Sequence, residues 1–304
     1  MADRRPSSTA HGSGTPDAVV LDRSPALAPL LARGALRSPG KRPRPDAPVP
    51  RTRLVLPGVR IDLARLAAYE RVCAFPTGAD ALPVTYPHVL GFPAAMRLMS
   101  ARDFPLPLLG LVHTSITLTR HTALPATGTY ELAVHTSGLA PHRRGTEASV
   151  VTELRADGKV VWESTSTYLA RHRTDGTAAG AEAHEGRPEE AREPLPVRAE
   201  WRIAGDAGRR YGAASGDRNP IHLSPLTARL FGFPRAIAHG MLTVARCLAA
   251  HGVPEAARVR AEFRSPVLLP ATVAYAADDG GRFALRGAGD GREHLTGEVL
   301  PLLS

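Results

Sequence analysis

The chain has 304 residues, enough for one large or two ordinary domains, and its 43% hydrophobic content supports buried cores. Of its net charge of +9, about +6 falls in residues 1–53, where ten Lys/Arg face four Asp/Glu. The remainder is nearly balanced, aromatics make up 5%, and basic residues do not interleave with rings, so nucleic acid is excluded as the expected partner.

Residues 1–50 are rich in Pro, Gly, Ser and Arg and read as a disordered basic head. MADRRPSSTAHGSG has no apolar core of the kind a secretory signal needs, and no apolar run reaches the 18 residues of a membrane span. Cys73 and Cys247 stand alone in apolar, helix-like contexts, as buried free thiols of a cytoplasmic protein.

Residues 51–171 read as a first domain. DLARLAAYERVCAF is helical, with Asp62 as N-cap, and PHVLGFPAAMRLMSA is a second helix. Strand patterns follow at LVHTSITLTR, GTYELAVHTS, EASVVTELR and VVWESTSTYLA, with ADGK as a hairpin turn. The polar, periodless stretch 172–196 reads as a charged linker.

Residues 197–304 repeat the plan. AGDAGRRYGAA is helical, a loop follows, and a second helix runs from about Ala238. Strands are expected at RVRAEFRS, TVAYAA, RFALRG and EHLTGEVL, with ADDGGR and GAGDGR as turns. PAT occurs at 125–127 and again at 270–272, and Tyr69-x5-Phe75 aligns with Tyr211-x5-Asp217. On that register Phe75 stands for Asp217 and Asp80 for His222. A long helix followed by antiparallel strands calls for a sheet wrapped around the helix, an α+β plan, here present twice.

The most informative stretch is YGAASGDRNPIHLSPLTARLFGFPRAIAHGM, residues 211–241. Gly216 and Pro220 impose a non-helical loop, so Asp217 and His222 can reach a common point. A carboxylate beside an imidazole can hold a water and exchange protons with it. Which of the two is the formal base stays open, because a coupled pair titrates jointly. Asn219, Ser215 and His239 read as supporting residues. Gly240 opens a helix, where its unpaired N–H lies at the positive end and can polarise a ligand oxygen. Each has a plainer reading: Asp217 as an Asx-turn residue, His222 as a core histidine, Gly240 as a close-packing glycine. Ser215, Asp217 and His222 do not form a nucleophilic triad, since no G-x-S-x-G elbow is present. D-x-N-x-x-H lacks the further ligands of a metal site, so no metal and no cofactor are expected.

SGDRNPIH followed by GFPRAIAHGM resembles the signature of the MaoC-like, or (R)-specific enoyl hydratase, family of the hot-dog fold. The resemblance covers about 205–272 with few departures, and the first domain resembles the degenerate partner half of two-domain members. One departure is Pro270-Ala271, where the family often has Gly-Asp. The resemblance implies a double hot-dog, with catalysis in the C-terminal half. It implies reversible hydration of trans-2-enoyl thioesters to (3R)-3-hydroxyacyl thioesters, with Asp217 and His222 holding the water and Gly240 N–H polarising the carbonyl. The substrate carrier would be CoA or acyl carrier protein, and Arg209, Arg229 and Arg235 are candidates to meet its phosphate. The alternative is a non-catalytic acyl-binding or scaffolding subunit. A homodimer of such chains is the expected assembly.

Overall fold

The computed structural model describes residues 17–174 and 194–302. In chain order the first half comprises β1 (Asp17–Val20), α1 (Leu27–Arg37), β2 (Thr52–Arg60), α2 (Leu63–Cys73), α3 (Tyr86–Met99), β3 (Val112–Arg120), β4 (Thr129–His142), β5 (Gly145–Ala156) and β6 (Lys159–Arg171). The second comprises β7 (Val197–Ile203), α4 (Ala207–Ser215), α5 (Pro225–Arg229), α6 (Gly240–His251), β8 (Ala257–Phe263), β9 (Ala271–Ala277), β10 (Arg282–Gly287) and β11 (Glu293–Pro301).

All strands join one sheet in the order β1-β2-β4-β5-β6-β3-β8-β11-β10-β9-β7. Read outward from the β3–β8 seam, the halves run β3-β6-β5-β4-β2 and β8-β11-β10-β9-β7. These are the same order of corresponding elements, which is the topological mark of a duplicated unit. In each half the longer helix, α3 or α6, supplies buried residues to the core. The result is a double hot-dog, as the resemblance implies.

Local chemistry accounts for the joints. The β5–β6 turn is Asp157-Gly158, both with positive φ, as a tight two-residue hairpin requires. Asp62 caps α2 by accepting from Arg65 N–H at 3.1 Å. Alternation along β6 turns Trp162, Ser164, Ser166 and Tyr168 inward. Buried Trp162 donates Nε1–H to the Val84 carbonyl at 2.8 Å. Across the seam, buried Arg120 donates to the carbonyls of Glu255 and Pro254, each at 2.8 Å. The halves also meet helix to helix: α2 packs on α4 with the Tyr69 and Tyr211 rings 6.0 Å apart.

The head departs from expectation. Residues 17–50 are not a disordered segment: β1 pairs in parallel with β2, and α1 packs on α3. The reason is a short amphipathic stretch hidden in polar composition. Leu21 and Leu30 are buried, while Arg23, Arg33 and Arg37 lie outside the core. Residues 1–16 of that head, and 175–193 of the expected linker, lie outside the described residues. Strands β2 and β7 also escape the pattern reading. β2 carries Pro57-Gly58 and a register shift between Leu56 and Val59, and β7 is a largely exposed edge.

Candidate active site

The C-terminus of α4, the following loop and the N-terminus of α6 converge. Gly216 ends α4 with φ of 87°, a left-handed conformation that glycine adopts freely. Ser215 donates to the Tyr211 carbonyl at 2.8 Å and accepts from Asp217 N–H at 3.1 Å. Asp217 Oδ1 accepts from Asn219 N–H at 3.1 Å, an Asx turn. Asn219 in turn caps the 3₁₀ turn Pro220–His222. Ser215 and Asn219 thus spend their hydrogen bonds on shaping the loop, and Asp217 keeps Oδ2 free.

His222 donates Nδ1–H to the Ile237 carbonyl at 2.8 Å, which leaves the Nε2 lone pair outward when the ring is neutral. His239 lies on it, with ring centroids 3.7 Å apart, and donates Nε2–H to the Asp217 carbonyl at 2.9 Å. A carboxylate oxygen of Asp217 and one nitrogen of each histidine lie within 4.8 Å of one another. One water bridges such a gap with two ordinary hydrogen bonds. The trio has the residue types of a metal site. With His222 Nδ1 and His239 Nε2 committed to carbonyls, the atoms of the trio left without a hydrogen-bond partner among the described residues include His222 Nε2, Asp217 Oδ2 and the buried His239 Nδ1.

Burial sets the electrostatics. Desolvation raises the Asp217 carboxyl above its usual range, opposed by His222 and by Asn219 N–H. Desolvation lowers His222, opposed by Asp217 and the Ile237 carbonyl. His239 is driven well below the ordinary imidazole range by desolvation and then by His222. The pair is therefore a neutral imidazole beside a carboxylate of raised basicity. His239 is also the N-cap of α6, so Gly240 N–H follows directly at the helix's positive end. A Cβ on Gly240 would stand 2.7 Å from Phe263 Cε1, so no larger residue fits without moving that ring.

Among the described residues, the first half holds no second copy of this site. Phe75 stacks near Tyr69, and Asp80 is exposed. Pro87 lies in the first turn of α3, where it has no N–H to offer. Arg209, Arg229 and Arg235 are exposed and each donates to a backbone carbonyl, of Leu223, Pro234 and Pro270 respectively. They lie around the loop and outside the trio's hydrogen bonds.

Two contributors escape sequence reasoning because they come from the other half. Arg65 of α2 donates to the Ala214 carbonyl at 2.9 Å and the Ser215 carbonyl at 2.7 Å, closing the end of α4 that launches Asp217. Tyr168 of β6 lies close enough for the Asp217 charge to help raise its phenol, after burial. Neither carries a local signal; both depend on how the halves pack.

The family profile described as "MaoC like domain" matches residues 181–291. The chain is 38% identical over 264 residues to 3-hydroxyacyl-thioester dehydratase X of Mycobacterium tuberculosis, covering 84% of this chain and 91% of that one. 3-hydroxyacyl-thioester dehydratase Y of the same organism is 29% identical over 143 residues, 44% of this chain and 47% of that one. Among solved structures, HtdX of M. tuberculosis superposes with a TM-score of 0.70 at 36% identity, over 82% of this chain and 100% of that one. A MaoC-like dehydratase from Phytophthora capsici superposes at 0.64 with 18% identity, over 86% and 97%, a likeness of fold.

Proposed function

The chain belongs to the MaoC-like dehydratase family, and from that premise we propose that it is a hydro-lyase interconverting trans-2-enoyl and (3R)-3-hydroxyacyl thioesters. The observation that carries this reading is the pair of free acceptors, Asp217 Oδ2 and His222 Nε2, beside the opening N–H of α6.

In hydration, the pair holds a water and takes one of its protons as the oxygen bonds to C3. The C2–C3 π electrons move toward the thioester carbonyl, whose oxygen gains negative charge near Gly240 N–H and the α6 dipole. The pair then returns a proton to C2, so water is added overall and no other reactant is needed. Delivery of both groups from one loop supports addition on one face. His239 and Asn219 position the pair, and Ser215 supports the turn.

A phosphopantetheine carrier belongs to the same reading. Arg209, Arg229 and Arg235 are available to a phosphate, and exposed Leu226, Leu230 and Phe231 lie on the same segment as Arg229 and Arg235. No helix among the described residues is long and apolar enough to cross a membrane. The buried free thiols Cys73 and Cys247 support a cytoplasmic setting.

Loss of enoyl absorbance with crotonyl-CoA and a longer trans-2-enoyl-CoA tests the reading, with chiral analysis of the product. Turnover to the (3R) alcohol is expected. No turnover on CoA or carrier-protein thioesters would leave an acyl-binding subunit as the account.

Arg65 supplies a separate check. Arg65→Ala is expected to lower kcat about tenfold with KM little changed, because the loop loses its register and the carrier contacts stay. Arg65→Lys, which can reach one carbonyl, is expected to recover part of the rate. A rise in KM alone would show that Arg65 binds substrate and does not position the loop.

A further inference from the structure

The interior of the first half is unusually polar where it meets the catalytic loop. His88 of α3, His113 of β3, Thr136 of β4 and Ser164 and Ser166 of β6 each bury a polar side-chain atom with no hydrogen-bond partner among the described residues. These atoms are His88 Nδ1, His113 Nε2 and the three hydroxyls. Buried polar groups almost always have partners, so a cluster of exceptions calls for an occupant.

The sheet register gathers them. Val150 pairs with Thr136 on one side and Ser166 on the other, Ser166 also pairs with Ile116, and Tyr168 pairs with His113. Directly paired residues share a face, so the row looks toward α3 and His88. His88 and His113 are stacked at 6.1 Å. Burial keeps both rings neutral, pushing His88 down to about 4 and His113 to about 3.

The row is one ring away from the reacting atoms. His113 stacks on Tyr168 at 4.6 Å and leans on Phe263 at 4.8 Å. Phe263 packs against Gly240, and Tyr168 senses the Asp217 charge. Phe263 and Tyr168 thus connect the place of a thioester carbonyl at Gly240 N–H with the two histidines.

We infer that His88 and His113 form a recognition subsite for a hydroxyl on the acyl chain, distal to the reacting double bond. A hydroxyl both donates and accepts, so it satisfies one nitrogen of each neutral imidazole when one of the two nitrogens carries the proton and the other presents its lone pair. An alkyl chain in its place would leave both nitrogens unpaired, the situation in which sites discriminate most strongly. The inference rests on the enoyl-thioester reading and adds the substrate class.

The test compares trans-2-enoyl-CoA substrates of equal length, with a hydroxyl or a methyl at successive distal carbons. The wild type is expected to show kcat/KM at least about tenfold higher for a hydroxylated member than for its methyl counterpart. His113→Phe and, separately, His88→Leu are expected to bring that ratio to about one, and His113→Gln to retain part of it. Because the readout is a ratio within each folded variant, general damage does not mimic it. A wild-type ratio at or below one for every position overturns the inference, as does a preference that His113→Phe and His88→Leu leave unchanged. Turnover of methyl substrates without preference leaves the hydratase reading standing; absence of turnover on both fells the two together.

Discussion

Asp217→Asn is expected to lower kcat/KM for enoyl-thioester hydration about 10³-fold and to leave the fold intact. The amide occupies the same volume, and its oxygen can still accept from Asn219 N–H, so the Asx turn survives. What it cannot do is take a proton from water at Oδ2. A 10³-fold loss corresponds to about 4 kcal/mol of transition-state stabilisation, within the range that a positioned proton acceptor supplies. Stability moves the other way. The folded-state pKa of Asp217 is raised above its ordinary value of 3.8, so the folded chain binds that proton more tightly than the unfolded chain. The group's favourable contribution is present below pH 3.8 and is lost as pH rises through the folded value. At neutral pH its charge therefore costs stability, and the neutral amide removes that cost. Tm equal to or above wild type with activity lost is the expected pair of results. Activity retained within tenfold would show that Asp217 serves the turn alone.

His222→Ala is expected to cost a similar factor, about 10³ in kcat/KM, with a loss of stability as well. The Ile237 carbonyl loses its donor and His239 loses the ring it stacks on, a penalty of roughly 1–3 kcal/mol for the unpaired carbonyl. Activity is therefore read below the lowered Tm. Asp217→Asn combined with His222→Ala is expected to be little worse than either alone, because the two act as one proton-exchanging unit. The wild-type pH profile carries the same signature. Both Asp217 and His222 must be unprotonated to receive a proton from water. Asp217 is raised above 3.8 and His222 is lowered below 6.5, so kcat/KM for hydration should fall on the acid side as each group takes up a proton, with no alkaline limb from this pair. An acid limb above 6.5 would belong to Asp217, whose carboxyl burial raises, and not to His222, which burial lowers.

Much of the site is legible in the chain because its causes are short-range. Gly216, the Asx geometry of Asp217 and Asn219, and the turn at Pro220 follow from local sterics and side-chain acceptors a few residues away. The two-residue hairpin at Asp157-Gly158 and the Asp62 cap are legible for the same reason. So is the loss of the site in the first half, where Phe75 and Asp80 offer no matching pair. What the chain order conceals are contacts made between residues far apart in the chain. Arg65 closing the end of α4, Tyr168 beside Asp217, and the approach of His88 and His113 through Phe263 require two halves packed about one seam. That placement is decided by sheet register, where a slip of one residue would turn Tyr168 and Ser166 to the opposite face. The misread head has a related cause. Composition averages over a segment, and a few well-spaced leucines suffice to order α1 once α3 and β2 provide a surface to bury them against. Local sterics and side-chain acceptors in the chain thus determined the chemistry of the loop, and only the tertiary structure decided which distant residues surround it, because burial and register are properties of the whole sheet.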